Sequence, residues 1–438
     1  MKGPTSLLLS PDEMPKSYYN ILPDLPWPIP PPMESEERPI FEDIDRLTLL
    51  EKILPGELLK QNQSKKSWIK IPERVVDFYQ SLGRPTPLVR ARRLEEHLKT
   101  PAKIFIKRED TLPTGSFKLN TAIPQAYYAS LEGYEKLTCA TGAGQWGLAL
   151  SLAASIFGMG SIVFMARASY DQKSYRRALM ELYGAEVFPS PSKRTESGKM
   201  LISRHPEHPG SIGTTISEAM ETALKNDEVG HTVGSTMPFT FTHQSIVGLE
   251  AKKQLEKIGL VPDTVVACTG GGSCFASIAF PFLKDKITKK TDTGFLITES
   301  SEAPRLTKGA YEYDFGDAVG LTPLTKSYTL GHEFIPPATH IGGLRHHSGS
   351  PVIALLKQEN MVDTVSYTPR EIFEAGRLFA RLEGYVPAPE TCHGIKGIIG
   401  EALKAKAENE KKVLLLHFSG SGLLDATAFT DSKPHDLF

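Results

Sequence analysis

The sequence predicts an α/β protein of two three-layer domains, each with a parallel sheet, and a ligand held between them. Three observations predict it. Short apolar runs alternate with helix-length segments in two successive series, and the main glycine-rich loops fall at the carboxyl ends of those runs. The 438 residues, 40% hydrophobic, suffice for two cores of roughly 150 to 200 residues each.

Residues 1–82 are expected to form an N-terminal arm and helices. Within them Leu22-Pro-Asp-Leu-Pro-Trp-Pro-Ile-Pro-Pro-Pro-Met33 must be extended, because proline forbids a regular helix. Its interleaved Leu, Trp and Ile need burial, so the arm lies over the core or over a neighbouring subunit. Residues 83–117, with a strand at Lys103-Ile-Phe-Ile-Lys107, join the C-terminal domain.

Residues 118–243 form the N-terminal α/β domain. Strands at Lys136 to Ala140, Ser161 to Ala166 and Ala185 to Phe188 alternate with helices at Leu119 to Ser130, Gln145 to Phe157 and Ser174 to Leu182. Residues 244–438 form the C-terminal α/β domain. Its strands are Thr264 to Cys268, Gly294 to Thr298 and Val413 to Ser419, with helices at Gln244 to Ile258, Pro369 to Glu383 and Gly394 to Ala407. No short-period repeat is present.

A net charge of −1 gives no electrostatic reason to expect nucleic acid or an acidic membrane surface, so the substrate is a small molecule. No run approaches the ~20 apolar residues of a membrane span. The N-terminus carries Asp12, Glu13 and Lys16 and lacks a signal-peptide core, so a cytoplasmic protein is expected. Cys139, Cys268, Cys274 and Cys392 show no CxxC spacing and read as buried, reduced thiols. His332, His340, His346 and His347, near Gly342-Gly-Leu-Arg345, match no helical ligand pair and read as loop histidines or anion contacts, so no metal site is expected.

The chemistry lies in two segments. Lys118, in Pro113-Thr-Gly-Ser-Phe-Lys-Leu-Asn120, stands where a helix begins. Gly270, Gly271, Gly272 and Ser273 follow the Thr264 to Cys268 strand and open the apolar helix after Phe275. Glycine N–H groups at a helix start hold a phosphate dianion, and a lysine amine condenses with an aldehyde. Either segment alone is most often a plain turn. Together they suggest a pyridoxal phosphate enzyme.

Six runs then occur in an order and spacing similar to tryptophan synthase beta chains, and most similar to their second, longer class. They are Gly83-Arg-Pro-Thr-Pro-Leu88, the lysine segment, Thr141-Gly-Ala-Gly-Gln-Trp-Gly147, Gly270 to Ser273, Glu383-Gly-Tyr-Val-Pro-Ala-Pro-Glu390 and Ser419-Gly-Ser-Gly422. The resemblance covers nearly the whole chain. The lysine motif alone is equally similar to threonine synthases and dehydratases.

The resemblance implies a fold-type II pyridoxal phosphate lyase that forms tryptophan from indole and a serine-type donor. It implies catalytic roles for Lys118 and Glu383, the latter near the cofactor ring. Asn120, Gly270, Gly271, Gly272, Ser273 and Ser419 would bind the cofactor beside Lys118. The backbone of Thr141, Gly142, Ala143, Gly144 and Gln145 would receive the substrate carboxylate. A homodimer and a monovalent cation are family expectations, and an alpha chain stays open as a partner.

The chain departs from the family at three positions. Ala140 stands where the family has a glutamate that serves as acid to the leaving hydroxyl and base in the coupling to indole. A phosphate leaving group needs no such acid, so O-phosphoserine is expected to be the better donor, its phosphate received by groups such as Arg108, His243, Gln244 or Arg345. Phe117 replaces a histidine before the lysine, and Cys274 an asparagine after the glycine loop. These leave two further readings open: a related lyase with another nucleophile or a hydroxy amino acid substrate, and a non-catalytic cofactor-binding paralogue.

Overall fold

Two sheets organise the chain in the computed structural model, which describes residues 5–36 and 45–431. The ends of the expected arm and of the last domain, residues 1–4 and 432–438, and the stretch 37–44 lie outside the described residues.

The first sheet has four parallel strands in the order Ala185–Ser190, Gly160–Ala166, Lys136–Thr141, Val229–Thr232. The second has seven, in the order Ser6–Leu7, Leu88–Arg90, Lys103–Arg108, Val413–Phe418, Thr264–Cys268, Gly294–Ser300, Asp363–Tyr367. Its last five are parallel to one another, and the first two add antiparallel pairs at one edge. Helices cover the parallel strands, as apolar runs buried on both faces require.

Two of the parallel strands go beyond the sequence expectation. Val229–Thr232 is four residues with a glycine and a histidine, and Asp363–Tyr367 carries an aspartate and a serine. Both pair at the margins of their sheets, so neither needs the continuous apolar run that marks a central strand. The helix expected at Gln244 to Ile258 runs from Ile246 to Glu256, and a further helix, Pro238–Gln244, precedes it across Ser245.

The N-terminal segment docks on its own chain. Ser17–Tyr19 pairs antiparallel with Trp68–Lys70, and Met14, Tyr18, Tyr19 and Ile21 are buried in the main core. The Tyr19 N–H donates to Ser245 Oγ at 2.8 Å, and Met33 forms a β-bridge with Leu324. Fixed at both points, the proline-rich run passes over the space between the sheets, where Ile29, Pro30 and Pro32 face a cavity. Among the described residues no helix is long and apolar enough to cross a membrane.

Candidate active site

Lys118 precedes the helix Leu119–Leu131, and the loop before it is stitched to the loop after the last strand. The Phe117 N–H donates to the Ser419 carbonyl at 3.1 Å, and the Ser421 N–H to the Gly115 carbonyl at 2.7 Å. That pairing directs the lysine side chain across to the glycine loop. Its Nζ donates to Ser273 Oγ at 3.0 Å and to the Gly234 carbonyl at 2.6 Å. Burial lowers its pKa from 10.5 to about 8, with no carboxylate beside it to restore the charge.

The glycine loop leaves the Thr264–Cys268 strand and enters the helix Ser273–Ile287. Gly272 has φ +134°, a conformation closed to L side chains, and a Cβ there would also lie 2.8 Å from Ile353 Cγ1. Among the described residues the N–H groups of Gly270, Gly271 and Gly272 donate to no protein acceptor. Behind the loop the fully buried Arg305 donates to the Gly270 carbonyl through Nη2, and its Nη1 has no partner. Burial lowers Arg305 to about 10, so it remains cationic at neutral pH. Free N–H groups, a helix N-terminus and a buried guanidinium together fit a phosphate dianion.

A second cradle faces the lysine from the four-stranded sheet. Thr141 ends its strand, and Gly142, Ala143 and Gly144 turn into the helix Gln145–Ile156. The Gly144 N–H is taken by Thr141 Oγ1 at 3.1 Å, while those of Gly142 and Ala143 have no protein acceptor among the described residues. A Cβ on Gly142 would lie 2.3 Å from the Gly342 carbonyl, so only glycine allows this turn to touch the Gly342–Leu344 turn. The two glycine loops, Lys118, Ala140 and Ser419 line one cavity of about 430 Å³.

Ser419 follows the Val413–Phe418 strand, and its Oγ lies 2.9 Å from Thr391 Oγ1, a neutral partner. Next to it Cys268 Sγ is 3.5 Å from Cys274 Sγ, and Cys274 Sγ is 3.5 Å from His417 Nδ1. The hydrogen bond to Cys274 and burial hold the Cys268 thiol above its usual value. Burial opposes charge at His417, and Cys274 outweighs it, so the imidazole is held above its usual value. Phe117 packs edge-on against His417, ring centroids 5.1 Å apart, so the two departures beside the lysine loop and the glycine loop meet on one histidine.

Several expected residues lie elsewhere. Glu383 does not reach the cavity: its carboxylate accepts from the Leu94 N–H at 2.8 Å and lies 3.5 Å from Arg93, at a separate surface cleft. Two acids line the cavity, Glu51 and Glu390, and the second lies seven residues after Glu383, at the start of the helix Pro389–Glu408. Glu390 accepts from Gln145 Nε2 at 3.1 Å and from the Gly343 N–H at 2.8 Å. A glutamate after a helix-opening proline is the sequence signal that could have found it.

Asn120 also points away. Both ends of its amide are spent in a buried ionic cluster, accepting from Arg84 at 2.7 Å and donating to Glu109 at 2.8 Å. The residues expected to receive a departing phosphate lie outside the cavity lining. Arg108 pairs with Asp110 and stacks on Tyr385, His243 lies between Thr121 and Gln61, and Arg345 donates to Ser169 and Pro337. Gln244 is buried away from the cavity. Among the described residues no cluster of histidine, cysteine and acidic side chains could hold a metal ion.

The chain matches the family model for pyridoxal-phosphate dependent enzymes over residues 79–420. It is 50% identical over 425 residues to the tryptophan synthase beta chain 2 of Methanothermobacter thermautotrophicus, covering 97% of this chain and 98% of that one. Identity to the protein of the same name from Pyrococcus furiosus is 48%, covering 98% and 97%. With that from Aquifex aeolicus it is 50%, covering 96% and 97%. Among solved structures, a threonine deaminase from T.th. superposes with a TM-score of 0.57 at 21% identity, covering 80% of this chain and 97% of that one. A fungal L-serine ammonia-lyase from Rhizomucor miehei gives 0.60 at 16%, covering 80% and 98%. These two likenesses speak to the fold alone.

Proposed function

Because the chain belongs to the tryptophan synthase beta chain family of pyridoxal phosphate-dependent lyases, we propose that it joins indole to O-phosphoserine in preference to serine, with Lys118 as the central catalytic residue. One observation carries the assignment of the site: the Lys118 amine, 3.0 Å from Ser273 Oγ, shares a cavity with a free-amide glycine loop backed by Arg305.

In this reading Gly270, Gly271, Gly272 and Ser273 hold the cofactor phosphate, and the unpartnered Nη1 of Arg305 adds positive charge behind it. Bound pyridoxal phosphate supplies the electron sink that lets the donor lose its α-proton and then its β-substituent. The N–H groups of Gly142 and Ala143 receive the donor carboxylate at a helix N-terminus. Lys118, whose pKa of about 8 leaves a large neutral fraction near that pH, takes the α-proton and later returns it. Glu390 anchors Gln145 and Gly343, and so fixes the carboxylate cradle against the opposite turn.

Ser419 is the residue that would partner the cofactor ring nitrogen. Its hydroxyl, bonded to Thr391, carries no charge and would not keep that nitrogen protonated, which disfavours transamination and favours loss of the β-substituent. Ala140 sets the donor. A positioned acid is typically worth on the order of 10²- to 10⁴-fold, about 3 to 5 kcal/mol, and the alanine methyl offers no proton to a departing hydroxyl. Phosphate departs as a stable anion without one.

A homodimer and activation by a monovalent cation complete the proposal, with an alpha chain as a candidate partner. Sedimentation of the purified protein and turnover in potassium against tetramethylammonium buffers test the first two. The main test is tryptophan formation from indole with serine and O-phosphoserine as parallel donors. Turnover mainly with O-phosphoserine supports the reading, and equal or higher turnover with serine refutes the donor assignment. No tryptophan from either donor by cofactor-loaded protein turns the choice to another nucleophile.

A further inference from the structure

Coupling to indole leaves a proton on the indole nitrogen that some group must accept, and Ala140 has none to offer. The neighbouring strand carries one. Val229–Thr232 pairs in parallel with Lys136–Thr141, with His231 opposite Thr138. Paired residues share a sheet face, and so do residues two apart on a strand, so Ala140 and His231 point the same way. Strand spacings place their Cα atoms about 8 Å apart, two residues along and one strand across. Both residues line the cavity that holds Lys118.

Thr138 fixes the imidazole, and one of its two tautomers suits the task. His231 Nδ1 lies 3.0 Å from Thr138 Oγ1, whose own hydroxyl reaches the Gly230 carbonyl at 3.5 Å. With the threonine proton directed to that carbonyl, Nδ1 is the donor and Nε2 keeps its lone pair. Burial lowers His231 to about 4, so the ring is a neutral acceptor at working pH.

The other acid–base groups of the cavity are less suited. Glu390 is committed to Gln145 and Gly343, His347 Nε2 lies 2.9 Å from the Phe315 carbonyl, and His346 packs beside Gly270 at the phosphate end. Glu51 lies exposed on the short helix Leu49–Ile53.

We propose that His231 is the base that accepts the nucleophile's proton in the coupling step, in the role the missing glutamate has elsewhere in the family. The assignment rests on the tryptophan-forming reading. The donor β-carbon's bond to oxygen has already broken, its pair leaving on phosphate; the indole C3 electron pair then forms the bond to that carbon as the Cα–Cβ π pair shifts to Cα, where Lys118 later returns a proton. As positive charge develops on the indole nitrogen, Nε2 takes the N–H proton. It returns that proton to nitrogen when the hydrogen on C3 is lost to solvent and aromaticity is restored.

The test uses the loaded holoenzyme and His231→Gln, which keeps a polar group toward Thr138. The expected result is a fall of about 10²-fold or more, the order typical of a lost general base, in tryptophan turnover from O-phosphoserine. Phosphate release without indole, and coupling to a thiolate that has no proton to lose, should stay nearly unchanged. The imidazole resonance absent from the His231→Gln spectrum should shift when indole is added to the wild type. Unimpaired tryptophan turnover in His231→Gln overturns the assignment, as does equal loss in all three reactions. A selective loss in Glu51→Gln instead moves the role to that helix. A wild-type enzyme that forms no tryptophan removes the underlying reading and this assignment with it, whereas a productive wild type beside an unimpaired His231→Gln removes this assignment alone.

Discussion

Lys118 donates through Nζ to Ser273 Oγ at 3.0 Å, joining the residue before one helix to the first residue of another 155 positions away. The amine is thereby held beside the Gly270–Ser273 loop, in surroundings that lower its pKa to about 8.

Capture of the cofactor aldehyde requires the neutral amine. Its fraction rises about tenfold per pH unit below 8 and levels above, so the rate at which apoprotein develops a visible cofactor band should follow that curve. An ordinary lysine would keep rising to about pH 10.5. In Lys118→Ala the band should be absent, and an unchanged band would refute the assignment.

Arg305 is the charge behind the Gly270–Ser273 loop, a residue that no sequence motif marks. Replacing it with methionine removes a charge-assisted contact of roughly 1.5 to 3 kcal/mol, so pyridoxal phosphate should bind about 10- to 100-fold more weakly. Pyridoxal, which lacks the phosphate, should bind wild type and Arg305→Met equally. Equal weakening of both would make Arg305 a packing residue, as would a loss of fold by circular dichroism.

The buried cluster that claims Asn120 also holds the entry to the lysine loop. Arg84 bridges Glu109 at 2.9 Å and Glu250 at 3.0 Å, and Lys107 meets Glu250 at 2.7 Å. Glu250→Ala leaves two buried cations short of a partner and should cost about 3 to 5 kcal/mol by denaturant unfolding. Burial opposes charge on Glu109, but Arg84 and Lys107 outweigh it and lower its pKa from 4.5 to about 2. A carboxylate depressed in the fold contributes stability that is full above about pH 4.5 and is lost as pH falls through about 2. Melting temperature in Arg84→Met should therefore depend less on pH across that window.

The two glycine loops and the lysine were legible because backbone chemistry dictates them. A phosphate or carboxylate cradle needs glycine at a strand-to-helix turn, and that pattern survives in one dimension. Glu383 and Glu390 show the limit. Both carboxylates belong to the same quoted run, and only the packing of the helix Pro389–Glu408 against the Gly342–Leu344 turn decides which one faces the cavity. His231 and Arg305 were hidden for a similar reason: one sits in a strand too short and polar to recognise, the other in a four-residue helix far along the chain. The proline-rich arm reads as extended from its sequence, but its contribution of Ile29, Pro30 and Pro32 to the cavity depends on where Met33 bridges.

Ala140 offers the most direct reversal. It lies on the cavity side of the Lys136–Thr141 strand, one residue before the Thr141–Gln145 turn. In Ala140→Glu the new carboxyl can protonate a departing hydroxyl, so serine turnover should rise by about 10²-fold or more. The same carboxylate meets the dianion of O-phosphoserine with like charge, so kcat/KM for that donor should fall. Parallel measurement with both donors decides the matter. A rise for serine with a fall for O-phosphoserine identifies position 140 as the determinant of donor choice. No change for serine would mean that the wild-type site already holds an acid for the hydroxyl, and the preference for phosphate would have to arise elsewhere in the cavity.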